Sequence, residues 1–271
     1  MNRDRIRQTL VIVFAILDIV SSFALGSSID QGFDPTPVSF LPFGPTFAIW
    51  GVIFFTQLVY SIYQALPGQT ERLLHRRIGW WVALNAALTA LWNYTAGLSG
   101  TEGTPEFQPI YVVATVFILA GMLFSLTMVY IAFRELNPQI TTRDRWLAQI
   151  PLTIFFAWLN VAAIANTTAA LDAVAIFDYP YSSLWGVALI LVGLVVTSLM
   201  VFYSRPNAGT IAYTAVIVWA FVGIFFNNND RALDVAITAL VASAILIGVT
   251  IFHFYRNQSA PAVQRTATNA S

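Results

Sequence analysis

The sequence predicts an all-α, polytopic membrane bundle of eight transmembrane helices with both termini on the cytoplasmic side. Three observations carry this. Mean hydropathy is +0.71 and only 10% of residues are charged, where soluble domains carry about 25%. Eight apolar stretches, at about 8–26, 46–66, 78–98, 109–133, 147–170, 183–203, 208–226 and 233–255, approach the roughly 20 residues that cross hydrocarbon. Finally, 12 of the 13 arginines fall on alternate connections between those stretches, and short cationic loops stay cytoplasmic during insertion.

Taken in order, Arg3, Arg5 and Arg7 precede the first stretch. An arginine-rich start followed by Leu10 to Leu17 also fits a signal peptide. Asp18 interrupts that apolar run and no clear cleavage site follows, so a retained first helix is expected. Inside hydrocarbon the backbone must satisfy itself, which makes each span a helix; transmembrane strands would be shorter and alternating. The first outer connection, Gly26 to Pro45, is the longest, with Asp30, Asp34, Pro35, Pro37, Pro42 and Pro45. Its prolines hold it extended, while Phe33, Phe40, Leu41 and Phe43 give it apolar surface. Such a loop either folds back over the bundle, with Asp34 to Pro45 as a lid, or rests among lipid headgroups. Arg72, Arg76 and Arg77 follow the second stretch; Arg134, Arg143 and Arg145 the fourth; Arg205 the sixth; Arg256 and Arg265 the eighth. Arg231 alone falls on an outer loop. Small polar residues at 257–271 suggest a disordered cytoplasmic tail.

Composition also excludes chemistry. The chain has no cysteine and no lysine, which removes disulfides, thiolate catalysis, Schiff bases and P-loops. Net charge is zero, so nothing argues for nucleic acid. His75 and His253 are too far apart in sequence to suggest a metal site. No catalytic residues are assigned, an enzyme is the less favoured class, and no cofactor is required.

The informative residues lie inside the spans. Phe47, Trp50, Phe54, Gln57 and Ser61 recur at helical spacing in the second stretch and share one face. Trp81, Asn85, Leu88 and Trp92 do so in the third, and Trp158, Ala162 and Asn166 in the fifth. The topology places Phe47, Trp50, Trp92 and Asn166 in the outer halves of their helices, with Asn85 and Trp158 nearer the middle. Amides in hydrocarbon need partners. Either Asn85, Asn166 and Gln57 bond between helices, or they join the tryptophans in a ligand cavity. Asp18 is the one acid clearly inside a span. It is a candidate proton or polar site, or a structural bond to Ser21, Ser22 or a neighbouring amide.

Three segments carry a family resemblance. Pro45-Thr46-Phe47-Ala48-Ile49-Trp50-Gly51-Val52-Ile53-Phe54, Leu84-Asn85-Ala86-Ala87, and Ala157-Trp158 followed by Ala162 and Asn166 resemble motifs of the second, third and fifth helices of the TspO/MBR group, the tryptophan-rich sensory proteins related to the peripheral benzodiazepine receptor. Leu88 and Trp92 depart from the third-helix motif, where Trp and Phe are usual, and Pro151 lies further from Trp158 than the family pattern has it. The resemblance spans roughly residues 7–170. It implies a five-helix domain over 1–175, to which 176–256 would add three helices packed on the same bundle, ahead of the tail. It also implies a homodimer, and a pocket under the first loop for a flat hydrophobic ligand: a tetrapyrrole such as protoporphyrin IX or haem, or a sterol- or isoprenoid-like molecule.

The leading expectation is therefore a receptor or carrier in the plasma membrane, acting in sensing or transport. Phe47, Trp50, Phe54, Gln57, Asn85, Trp92, Trp158, Ala162 and Asn166 are its expected ligand-binding residues. The competing expectations are a membrane enzyme acting on an isoprenoid, carotenoid or tetrapyrrole, and a structural membrane subunit.

Overall fold

Eight long helices follow one another in the computed structural model, which describes residues 3–32, 40–101, 104–174 and 183–258, with 25–32 described as backbone only. They are α1 (Arg3–Gly32), α2 (Ile49–Ala65), α3 (Leu73–Gly97), α4 (Pro109–Glu135), α5 (Ile150–Ala173), α6 (Ser183–Tyr203), α7 (Ala208–Asn228) and α8 (Leu233–Gln258). A 3₁₀ segment, Gly44–Ala48, leads into α2, with Pro45 in its first turn, where a missing N–H costs no helical bond. One turn at Thr142–Asp144 and a π-helical turn at Arg145–Gln149 lead into α5. Among the described residues there is no strand.

Seven of these helices are long and apolar enough to cross a membrane; α3 falls short on composition. The reason is visible in its packing. Its main neighbours are α1 and α4, and it turns His75, Asn85, Thr89, Asn93 and Thr95 into the protein interior. A helix enclosed by protein can carry polar groups that meet partners there rather than lipid. The expected eight spans thus correspond to eight long helices, seven of them apolar by their own sequence.

Neighbour relations define the bundle. α1 packs on α2 and α3, α3 on α4, α4 on α5, and α5 back on α2, so the first five helices close into a ring. α7 packs on the outside of α5, α8 joins α7, and α6 lies chiefly against α8. α5 touches α2, α4 and α7 and is the most enclosed of the apolar helices.

Two boundaries differ from expectation. α1 continues to Gly32, so the first connection begins later than Gly26; no proline interrupts the helix before Pro35, and a single glycine is tolerated within a helix. At the other end α8 runs through Gln258, taking the first two residues of the expected tail into the helix; 259–271 lie outside the described residues, as do 34–39 of the expected lid.

Candidate functional site

The helical spacing that groups aromatic residues on α2 and α5 brings them face to face. Trp50 stacks on Phe54 at 5.5 Å and meets Trp158 edge-on at 6.3 Å. Phe47 meets Trp158 edge-on at 5.6 Å, and Phe155, one turn before Trp158, meets Trp50 at 5.9 Å. Edge-to-face geometry places the positive rim of one ring on the negative face of the next. Trp158 is fully buried, and among the described residues its indole N–H has no hydrogen-bond acceptor. A buried donor without a partner is costly, so it marks a point where an acceptor would be welcome.

Trp92 and Asn166 form a second group. The Trp92 indole donates to Asn166 Oδ1 at 3.0 Å, and Asn166 Nδ2 donates to Thr115 Oγ1 at 2.9 Å. This ties α3, α5 and α4 together. Asn166 lies eight residues beyond Trp158 on α5, about 12 Å along the axis, with Ala162 midway and half-buried. Asn85 belongs to neither group: its Oδ1 accepts from Ser125 on α4 at 3.3 Å. Gln57 faces Asp18 instead, together with Ser22. Asp18 is fully buried, and among the described residues neither its carboxyl oxygens nor Gln57 Oε1 has a partner within hydrogen-bond distance and angle. Asn93 donates to Ser21 and Ser22 at 3.0 and 2.7 Å, closing the α1–α3 side of this cluster.

The structure thus joins Phe47, Trp50, Phe54 and Trp158, joins Trp92 to Asn166, and separates Asn85 and Gln57 from both. Phe155, Thr115 and Ser125 were not singled out from the sequence. Phe155 carries a readable signal, being an aromatic residue one turn from Trp158 on the same face. The two hydroxyls look like any Thr or Ser in a span until the opposing helix is known.

The segment before α2 docks on α7. Phe43 N–H donates to Gly223 O at 2.9 Å, Asn227 Nδ2 to Leu41 O at 2.7 Å, and the Trp219 indole to Thr46 O at 3.0 Å. Phe40 is fully buried. Gly223 permits the approach, because a Cβ there would collide with the Thr46 side chain. The described part of the loop therefore folds onto the bundle, and it does so on one of the three C-terminal helices.

At the arginine-rich end two polar clasps hold the connections. Asp144 is fully buried and accepts from both Arg72 terminal nitrogens at 2.7 Å, Tyr63 OH at 2.7 Å, and Thr141 Oγ1 and N at 2.7 and 2.9 Å. The Asp144 carboxylate in turn raises the Arg72 guanidinium above its ordinary range. Asp4 receives Arg76 at 2.6 Å and Arg7 at 2.5 Å, while Arg7 also donates to Thr70 O at 2.8 Å. Arg7 is buried against α3 where Gly79 leaves room for its side chain.

A ring of five helices with three more docked on it, an aromatic cluster where α2 meets α5 and a loop clamped on α7 define a polytopic helical membrane protein. The family model of TSPO-like proteins matches residues 6–252, and the chain belongs to that family. The match passes through all eight long helices, so the family pattern does not stop near residue 170, where the resemblance in aromatic motifs ends. α6–α8 carry no such motif, which is why sequence inspection placed them outside it. No curated protein and no solved structure matches the chain. Family membership suggests a membrane receptor or transporter kind of role, in a lipid bilayer.

Proposed function

We propose that the protein binds a flat hydrophobic ligand at the α2–α5 aromatic cluster and acts as its receptor or carrier. Trp158 carries the reading: a buried indole N–H without an acceptor among the described residues, with Phe47 and Trp50 edge-on to its ring and Phe155 against Trp50. Aromatic walls with one directed polar group are the ordinary composition of a small-molecule site. A tetrapyrrole such as protoporphyrin IX or haem suits it, having a broad π-face and polar edge substituents; a sterol- or isoprenoid-like molecule offers less to stack on. Asn166, two turns further along α5, and its partner Trp92 on α3 would meet the ligand's far edge by exchanging their mutual bond for one to it. The positions of the arginines support an orientation with both termini cytoplasmic, and the plasma membrane is the setting proposed for it.

Protoporphyrin IX titrated into the detergent-solubilised protein should quench tryptophan fluorescence in the low-micromolar range, about −8 kcal/mol. Trp50→Ala should weaken binding about tenfold or more, since one base-sized aromatic stacking contact is worth about 1–3 kcal/mol. Trp158→Phe keeps a ring but removes the N–H donor and should weaken binding by a smaller factor. Unchanged affinity in both variants, with melting temperatures intact, would move the site away from the cluster.

A further inference from the structure

The opposite end of α5 holds a different kind of site. The inner ends of α4 and α6 and the connections that follow them surround a shallow, open cleft whose walls include Tyr130, Arg134, Gln149, Ser204, Arg205 and Thr210. Its enclosed volume is about 10 Å³, the room of roughly one water molecule. A macrocycle cannot enter it; an anionic group would sit at its mouth with one oxygen turned inward.

Its charge is uncompensated. The nearby carboxylates are committed elsewhere, Glu135 to Arg77 at 2.7 Å and Asp144 to Arg72 at 2.7 Å. Arg134, Arg145 and Arg205 have no carboxylate partner among the described residues. Arg134 lies over the Tyr203 ring at 4.4 Å, a contact made by the guanidinium face that leaves its N–H edge available. Arg145 donates only to neutral oxygens, Asn137 Oδ1 at 3.3 Å and Gln149 Oε1 at 3.2 Å. Gln149 is 5% exposed. Gln149 lines the cleft with its oxygen so engaged, and its amide nitrogen makes no hydrogen bond among the described residues. The start of α7 is not itself the anion ligand, because Asn207 Oδ1 already caps Gly209 N at 2.7 Å. Exposed Trp146 and Tyr203 place this level at the membrane–water interface, where such rings settle.

We propose that this cleft binds a phosphate group, held between Arg134 and Arg205 with Gln149 donating from the wall. Arginine pairs with phosphate through two parallel N–H bonds, and the interfacial level matches the phosphate of an anionic phospholipid. A soluble phosphate ester presents the same chemistry. The site is independent of the ligand reading on α2 and α5.

The test uses the full chain in mild detergent, with bound phosphatidylglycerol and phosphatidylcholine counted by native mass spectrometry. Wild type should retain phosphatidylglycerol in preference. Arg134→Gln with Arg205→Gln should lower retention about tenfold or more, the scale of losing charged hydrogen bonds. Arg134→Lys with Arg205→Lys should recover part of it, which a misfolded protein would not. Arg3→Gln with Arg5→Gln removes the same charge from the arginine-rich end and should change little. Equal loss in the two Gln doubles would reduce the effect to general surface charge and overturn the proposal, as would full retention in Arg134→Gln with Arg205→Gln. Millimolar inorganic phosphate should fail to displace the lipid; displacement would overturn the lipid source and assign the cleft to soluble phosphate.

Discussion

Removing Arg72 should damage the protein more than removing both Arg72 and the charge it holds. Asp144 is fully buried and takes five hydrogen bonds, two of them from Arg72. Breaking a buried ion pair by deleting one partner costs about 3–5 kcal/mol, because the other charge stays buried alone. Arg72→Ala leaves the carboxylate with only Tyr63 and Thr141 as donors, so its cost belongs near 3 kcal/mol. Asp144→Ala leaves Arg72, whose side chain is 30% exposed and can rehydrate, so about 2 kcal/mol is expected after that relief. Thr141→Ala removes the cap of the turn into α5 and one of the five bonds to Asp144, about 1–2 kcal/mol. The decisive variant is Arg72→Ala with Asp144→Asn, which keeps the shape and removes the stranded charge. It should be more stable than Arg72→Ala alone, measured by unfolding in detergent with tryptophan fluorescence as readout. If the double variant is the less stable of the two, Asp144 is not a buried charge dependent on Arg72 and the clasp has been misread.

Two further substitutions probe the interior. Gly223→Ala should lever the Thr46 segment off α7, at the roughly 1–3 kcal/mol cost of overpacking, and open Phe40–Phe43 to chymotrypsin; unaltered cleavage would mean that the seam does not hold the loop. Asp18→Asn supplies the donor that Gln57 Oε1 lacks and forms an interhelical contact worth about 0.6 kcal/mol, so melting should hold or rise slightly, whereas a clear fall would show that Asp18 has a partner its amide cannot serve.

Helices were legible because their signals are local. α4 and α6 begin at the expected residues, Pro109 and Ser183, because an apolar run and its start can be read without neighbours. The aromatic faces of α2 and α5 were readable for the same reason, since spacing alone puts Trp50 beside Phe54. What could not be read is which face meets which. Asn85 and Asn166 look equivalent in sequence, yet one meets Ser125 and the other Trp92 and Thr115. Arg72 and Asp144 lie 72 residues apart. Arg72 drew notice only as a cytoplasmic charge, a role that needs no partner and so conceals the one it has.

The position of the loop seam changes what α6–α8 contribute. Thr46 is bonded to Trp219 of α7, and the next residue, Phe47, packs on Trp158 of α5. Consecutive residues make the contact with α7 and the contact with the proposed site. α7 also packs directly on α5, so the Thr46–Phe47 dipeptide bridges two helices already in contact. A ligand that enters between Phe47 and Trp158 must either lift Phe47, straining the hydrogen bonds at Thr46, Phe43 and Leu41, or pass beneath a dipeptide that α7 holds still. In both cases the entry barrier to the proposed site would depend on α7, although none of its side chains belongs to the aromatic cluster. α7 would therefore act on the proposed site through the backbone of this loop as well as through α5, and release of that seam is the point at which ligand occupancy and the arrangement of α7 would become coupled.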